Sequence, residues 1–164
     1  MIAKLVVEGN EFDIEILDPK LQELITPKKK TGYEKTDGKW YYVSMADGVN
    51  MVSTSCMDGE FCHEIANYYS DETVAENNVR ADRLMRQLRR FAVEHRQNEI
   101  DWSNSKYKYT IRYGHNSENF IQTWEVNGQN FGCIWFDSPD AVKLAIETFK
   151  DELIWYFTEY KDSL

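Results

Sequence analysis

Apolar and polar residues alternate with the period of two of a β-strand in several parts of the chain. Turn-forming dipeptides separate these runs, at Gly9-Asn10, Asp47-Gly48, His115-Asn116 and Asn127-Gly128. The pattern predicts hairpins from Met1–Val7 with Glu11–Leu17 and from Trp40–Met45 with Val49–Ser55, and then three strands at Tyr107–Tyr113, Phe120–Val126 and Phe131–Phe136.

A helical period of 3.6 residues appears between Asp71 and His95, with Ser70 as the predicted N-cap. The predicted buried face consists of Ala81, Leu84, Met85, Leu88, Phe91 and Ala92. Ser138-Pro139 has the N-cap and proline arrangement of a helix start. It predicts a slightly shorter last helix from Asp140 toward Tyr160, with a break near Lys150-Asp151.

Two segments are less regular. Asp18-Pro19 predicts a short helix that Pro27 ends, and residues 57–69 are interpreted as a loop with a helical turn. Together the elements predict an α+β fold, with antiparallel hairpins packed on one long helix and one slightly shorter C-terminal helix. The length of 164 residues indicates one domain, 1–164.

An internal echo suggests halves 1–97 and 98–164. Segments 67–74 and 134–142 both place aromatic residues just before a serine and an acidic helix start. Duplication explains this pattern, and so does the general likeness of junctions between strands and helices.

The composition indicates a folded protein with a substantial core. Hydrophobic residues make up 42% and aromatic residues 14% of the chain, which argues against intrinsic disorder. The net charge is −9, and a basic central band at 80–113 lies between acidic ends. Net acidity argues against general nucleic-acid binding, because phosphate neutralisation by Lys and Arg supplies most of that affinity.

No run of 18 apolar residues occurs, and the N-terminus turns polar too early for a signal peptide. We therefore expect a cytoplasmic protein that does not bind membranes.

The basic band contains a run of arginines without lysine: Arg80, Arg83, Arg86, Arg89, Arg90 and Arg96. On a helical wheel Arg80, Arg83, Arg86 and Arg90 share one arc, opposite the apolar face. Such a stripe suits phosphates and carboxylates. It is also typical of a solvated helix face, since Glu72 and Glu76 lie on the same arc.

Metal binding and catalysis find little support. Cys56, Cys62 and His63, with Cys133 or His115, offer zinc ligands, but their spacing does not match a structural zinc site. No spaced carboxylate pair or phosphate-binding glycine loop occurs. We expect no metal, no cofactor and no enzymatic activity.

Aromatic and basic residues interleave in Tyr107–Tyr113, which suits either a stacking platform for single-stranded nucleic acid or a strand with one buried face. The strand interpretation is favoured, with Tyr107, Tyr109, Ile111 and Tyr113 on the buried face. It leaves Lys106, Lys108 and Arg112 facing solvent.

Several segments of the chain resemble a family of small, largely uncharacterised proteins carried by phages, prophages and mobile elements of Gram-positive bacteria. These segments are Ile2–Ile16, Pro27–Lys35, Asn67–Glu76, Leu88–Glu94 with Ile100-Asp101-Trp102, and Ile134–Phe157. Ala66 departs from the family's glycine-asparagine-aromatic pattern. The resemblance implies a mobile-element origin and a host-cytoplasm setting, and transfers no catalytic residue.

These features favour a phage-type, non-enzymatic inhibitor of a bacterial defence nuclease, with a CRISPR effector as the best single candidate. An acidic surface would occupy the basic nucleic-acid groove of this host protein. The candidate contact residues are Asp58, Glu60, Glu64, Asp137, Asp140, Asp151 and Glu152.

Two alternatives remain. A nucleic-acid-binding accessory protein of phage replication or packaging would use the stripe formed by Arg80, Arg83, Arg86 and Arg90, together with Lys106–Arg112. A self-assembling module would use surplus aromatic residues, since the chain has 5 tryptophans and 10 tyrosines. The sequence leaves the oligomeric state open.

Overall fold

A computed structural model of the chain describes residues 2–7, 10–15, 31–44, 46–52, 59–117 and 119–160. The chain divides into two compact units, 1–31 and 32–164. α-Helices and antiparallel strand pairs make up the described elements, which confirms the predicted α+β class. None of the helices among these residues is long and apolar enough to cross a membrane.

The first unit contains one antiparallel strand pair. Strand β1, Ile2–Val7, pairs with β2, Asn10–Glu15, in a register that places Ile2 opposite Glu15. Because Asn10 already pairs with Val7, β2 begins one residue earlier than the turn prediction placed it. The helix predicted after Asp18-Pro19 lies outside the described residues.

The second unit begins with the predicted hairpin. Strand β3, Trp40–Val43, pairs with β4, Val49–Val52. The Ser44 amide donates to the Gly48 carbonyl at 2.8 Å, and Asp47 has a φ of 56°. Aspartate tolerates this left-handed conformation better than most residues do, which explains its place in the turn.

Helix α1, Gly59–Glu64, lies where the sequence predicts a loop with a helical turn. It ends in a Schellman-type arrangement, because the Asn67 amide donates to the Cys62 carbonyl at 2.7 Å and the Ala66 amide donates to the His63 carbonyl at 3.1 Å. Ala66 is the left-handed residue of this turn, with a φ of 56°. Glycine is the usual residue there because it has no Cβ to clash with the following carbonyl.

Replacing Ala66 with glycine is therefore expected to raise the free energy of unfolding by about 1 kcal/mol, by relieving this clash. Urea unfolding of the variant would measure the gain. Ala46→Gly is the matched control: Ala46 is exposed and is not among the positive-φ residues, so the change should bring no gain. A less stable Ala66→Gly protein would contradict the assignment of this cap.

Helix α2, Glu72–Glu94, is the long helix that the periodicity predicts. Its predicted apolar face is buried, except that Met85 is only half-buried. The predicted N-cap is wrong by one residue, since Asp71 accepts from the Val74 amide at 3.1 Å. The Ser70 hydroxyl instead donates to Glu34 at 3.1 Å, which leaves Asp71 in the capping position.

Strand β5, Lys108–Gly114, pairs with β6, Asn119–Glu125, as predicted. The predicted solvent position of Lys108 is wrong, because Lys108 is 2% exposed. Its Nζ donates to the carbonyls of Asn104 at 3.0 Å and Val126 at 2.9 Å, and lies 5.1 Å from the Trp102 ring centroid. Tyr107, predicted to be buried, is 51% exposed.

The predicted third strand, 131–136, does not form. Only Phe136 pairs with the sheet, through two backbone hydrogen bonds with Tyr109 of 2.7 and 2.9 Å. Gly132 has a φ of 79°, which interrupts an extended backbone before that point. The alternation of apolar residues in this segment therefore reflects a loop that reaches the core only at its end.

The C-terminal helical segment is broken as predicted, into α3, Pro139–Thr148, and α4, Lys150–Thr158. Ser138 caps α3 by accepting from the Ala141 amide at 3.3 Å. Helices α2, α3 and α4 pack with the β5–β6 hairpin around one apolar cluster. Its buried members are Leu84, Leu88, Phe91, Ala92, Phe136, Ala141, Val142, Ala145 and Leu153.

Both β-to-α junctions use the same pairing. Tyr69 bridges Tyr41 just before α2, as Phe136 bridges Tyr109 just before α3. The general likeness of junctions between strands and helices accounts for this shared bridge, and so does duplication. A duplication of halves 1–97 and 98–164 stays a prediction.

Candidate functional site

The period of α2 places Arg80, Arg83, Arg86 and Arg90 along the side of the helix opposite its buried face. These four residues form the arginine stripe of the nucleic-acid-binding alternative. Their charge partners decide whether the stripe is available to a phosphate, because a guanidinium held by a carboxylate must first leave it.

Arg80 is held by helix α4. Its Nε lies 2.8 Å and its Nη2 3.0 Å from the two carboxylate oxygens of Glu152. The guanidinium also lies 3.9 Å from the ring centroid of Trp155. The hydrogen bond from Arg80 holds the pKa of the Glu152 carboxyl below its usual range, and the same bond raises the pKa of Arg80. This bidentate pair fixes α4 against α2.

Arg83 and Arg86 share one carboxylate. The Asp47 Oδ2 atom lies 2.6 Å from Nη2 of Arg86 and 3.5 Å from Nε of Arg83. Asp47 reaches them from the β3–β4 turn, where its left-handed backbone shapes the hairpin. In the sequence, Asp47 is recognisable only as a turn residue, and no local pattern connects it to Arg83 and Arg86, which follow it by 36 and 39 positions.

Arg90 faces Glu94 one turn along the helix, at 3.7 Å. The four arginines of the stripe thus all have a carboxylate partner within the molecule. A cleft of about 570 Å³ beside them is lined by residues of both signs: Asp47, Glu72, Glu76, Arg80, Arg83 and Glu152. The arrangement favours the solvated, ion-paired interpretation of the stripe over a uniform phosphate-binding face.

The acidic candidates do not form one cluster of equivalent groups. Glu60 is exposed and pairs with Lys35 at 2.8 Å; the hydrogen bond from Lys35 lowers the pKa of Glu60, and Glu60 raises that of Lys35. Glu64 is exposed at the end of α1. Asp58 lies outside the described residues.

The carboxylate of Asp137 forms hydrogen bonds within the fold. Its Oδ2 accepts from the amides of Gln97 at 2.8 Å and Asn98 at 2.7 Å, so the carboxylate ties the segment after α2 to the start of α3. Its Oδ1 is buried, without a hydrogen-bond partner among the described residues. Asp137 is therefore poorly placed to contact another molecule.

Asp140 and Asp151 are exposed in the first turns of α3 and α4. Lys143 lies 3.5 Å from Asp140. Carboxylates in a first turn are favoured by the helix dipole, which accounts for their presence without a partner molecule. Among the acidic candidates, Glu64, Asp140 and Asp151 combine exposure with the weakest internal engagement.

In the described part of the chain, no group of three or more His, Cys, Asp or Glu side chains could hold a metal ion. Cys133 is an exposed thiol in the loop before Phe136, whereas Cys62 is half-buried in α1. Cys56 falls outside the described residues.

Several aromatic side chains are exposed, as a self-assembling module would require. They are Phe61, Tyr107, Trp124 and Phe131. Tyr107 packs edge to face on Trp124, with ring centroids 4.6 Å apart. Self-assembly stays a prediction.

The Arg80–Glu152 pair predicts a specific pH dependence. A lowered carboxyl pKa contributes stability that is present above the ordinary value of 4.5 and is lost as pH falls through the lowered pKa. Glu152→Gln is expected to destabilise the protein near neutral pH by less than about 1 kcal/mol, since the pair is partly exposed. The difference from wild type should vanish well below pH 4.5.

Chemical unfolding at a series of pH values would measure this difference. Asp151→Asn is the matched control, because Asp151 lies in the same first turn and is not paired with Arg80. A loss of equal size and pH dependence in both variants would assign the effect to the helix dipole rather than to the ion pair.

Comparison with known proteins adds no functional assignment. No protein-family model, no curated protein and no solved structure matches the chain.

Proposed function

We propose that the protein is a non-enzymatic inhibitor of a nucleic-acid enzyme of bacterial defence, with a CRISPR effector nuclease as the first candidate. Its acidic surface occupies the basic nucleic-acid groove of that enzyme and blocks access to DNA or RNA. The resemblance to proteins of phages and mobile elements motivates the choice of a defence enzyme, in the host cytoplasm.

One observation carries the proposal. The arginine stripe, the main basic feature of the sequence, is paired with carboxylates of the same molecule through Glu152, Asp47 and Glu94. The chain as a whole has a net charge of −9, which repels free nucleic acid. A groove that binds phosphates attracts such a surface for the same electrostatic reason.

The contacts also narrow the candidate residues. Glu60, Asp137 and Glu152 each have a partner inside the molecule at 2.8 Å. Asp140 lies 3.5 Å from Lys143, so the carboxylates that fit the proposal best are Glu64 and Asp151, followed by Asp140. Each is exposed. Reversing their charge should weaken the inhibitor without disturbing its core.

A nuclease assay tests the proposal. Wild-type protein is expected to inhibit target cleavage by a guide-loaded CRISPR effector, and to do so less well as salt rises, because exposed charges are screened. Asp140→Lys/Asp151→Lys should inhibit more weakly. Glu99→Lys/Glu125→Lys makes the same change in net charge at other exposed positions and serves as the control. Equal loss in both variants would contradict the proposed contact surface.

A gel-shift experiment tests the nucleic-acid-binding alternative. We expect no shift of free DNA or RNA by the wild-type protein at low or physiological salt. A tight shift that Arg83→Glu/Arg86→Glu abolishes would end the inhibitor proposal and favour the accessory protein of replication or packaging.

A further inference from the structure

A second surface, distinct from the acidic candidates, lies where α2 ends. A groove of about 450 Å³ runs between the last turns of α2 and the loop before Phe136. Its principal lining residues are Arg89, Val93, Arg96, Ile100, Trp102 and Trp135.

The arginines of this groove differ from those of the stripe. Arg80, Arg83, Arg86 and Arg90 each have a carboxylate partner. Arg89 and Arg96 are exposed, and no carboxylate of the described residues pairs with either. Arg89 lies on α2, whereas Arg96 lies two residues beyond the end of that helix, and both border the groove. Without a carboxylate partner in the described part of the chain, Arg89 and Arg96 can pair with an anionic group of another molecule.

The floor of the groove is apolar. Val93, between the two arginines in sequence, is 63% exposed, and Ile100 is half-buried. Trp102 packs edge to face on Trp135, with ring centroids 5.2 Å apart. An occupant therefore needs an apolar side chain as well as negative charge.

The aromatic geometry favours a peptide over a nucleic acid. The Lys108 ammonium lies over the Trp102 ring, and the edge-to-face packing with Trp135 further restricts access to the ring faces that a base would need for stacking. Aliphatic side chains need only the exposed apolar floor. The net charge of −9 also repels a polyphosphate chain more strongly than it repels a peptide segment that carries two carboxylates.

We propose that this groove binds an amphipathic helix of a partner protein, with carboxylates two turns apart on either side of a leucine pair. Acidic residues at positions i and i+7 and leucines at i+3 and i+4 share one helix face. The two carboxylates can pair with Arg89 and Arg96, which flank Val93 in the sequence, and the leucines cover Val93. This surface does not depend on the proposed inhibitor function.

A synthetic helical peptide tests the proposal. The probe is a fluorescein-labelled peptide with glutamates at i and i+7, leucines at i+3 and i+4, and alanine and glutamine elsewhere. Fluorescence anisotropy should show binding to wild-type protein. Affinity should fall about tenfold or more in Arg89→Glu/Arg96→Glu and in Val93→Ser. The indole NMR signals of Trp102 and Trp135, assigned by Trp→Phe variants, should shift on binding.

Matched controls separate the site from overall charge. Arg112→Glu/Lys143→Glu makes the same change in net charge at exposed positions outside the groove and should bind the peptide like wild type. Peptides with lysine for glutamate, or serine for leucine, should bind at least about tenfold more weakly.

Other outcomes would overturn the proposal. Failure of the peptide to bind, or binding that survives Arg89→Glu/Arg96→Glu, would exclude this site. Binding of single-stranded oligothymidylate in place of the peptide, lost in the same variant, would identify a nucleic-acid site instead. None of these results bears on the nuclease assay, so the two proposals can fail separately.

Discussion

Replacing Phe136 with alanine is expected to lower the free energy of unfolding by about 3–5 kcal/mol. Phe136 is 1% exposed and belongs to the apolar cluster formed by α2, α3 and α4. Its backbone also pairs with Tyr109, so the side chain lies where the β5–β6 hairpin meets the helices. Truncation removes buried apolar surface and leaves a cavity that this anchored backbone cannot readily close.

Phe131 provides a matched control five residues earlier. It is the same residue type in the same loop, and its relative exposure is 107%. Phe131→Ala should change the stability by less than about 0.5 kcal/mol, since a fully exposed ring contributes little to folding. Urea unfolding of both variants measures the contrast. Similar losses would contradict the placement of the loop between Gly128 and Phe136.

Replacing Asn67 with alanine is expected to lower the free energy of unfolding by about 2 kcal/mol. The Asn67 Oδ1 accepts from the Val43 amide at 2.8 Å, and its Nδ2 donates to the Val43 carbonyl at 3.0 Å. The side chain thereby extends the pairing that Tyr41 and Tyr69 make through their backbones. Alanine leaves two half-buried backbone groups of Val43 without these partners, which costs more than the loss of an ordinary hydrogen bond.

Unfolding measurements would give the cost, and hydrogen exchange would locate it. The amides of Tyr41 and Tyr69, which bond to each other's carbonyls, should exchange faster in Asn67→Ala. Asn130→Ala, at an exposed loop position, should change neither quantity appreciably. Unchanged protection at Tyr41 would contradict the role of Asn67 in holding this edge.

Helices were the most predictable part of this protein. The apolar period of α2 and the Ser138-Pro139 start of α3 are local patterns, and the structure confirms both elements. The cap of α2 was misplaced because Ser70 and Asp71 are both good N-cap residues. Only the contact of Ser70 with Glu34, 36 positions away, leaves Asp71 as the cap.

Strand predictions failed where a tertiary contact opposed the local pattern. Lys108 was expected to face solvent by the period of two, but the carbonyls of Asn104 and Val126 hold its ammonium in the interior. Alternation in 131–136 resembled a strand, although a single pair of backbone bonds at Phe136 is all that joins the sheet. The periodicity of apolar residues shows which side chains can be buried. It does not show whether the backbone of the segment has a neighbouring strand with which to form hydrogen bonds.

The candidate sites show the same difference between local sequence patterns and tertiary contacts. The α+β class, the arginine stripe on α2 and the acidic balance of the chain could be predicted from the residues alone, because helical period and charge are local or additive properties. The sequence could not predict that Asp47 and Glu152 pair with three arginines of the stripe, 36 to 72 positions away. Nor could it predict that Arg89 and Arg96 border an apolar groove. Ion pairing depends on distances of a few ångströms between side chains, and packing brings together groups that no sequence spacing connects.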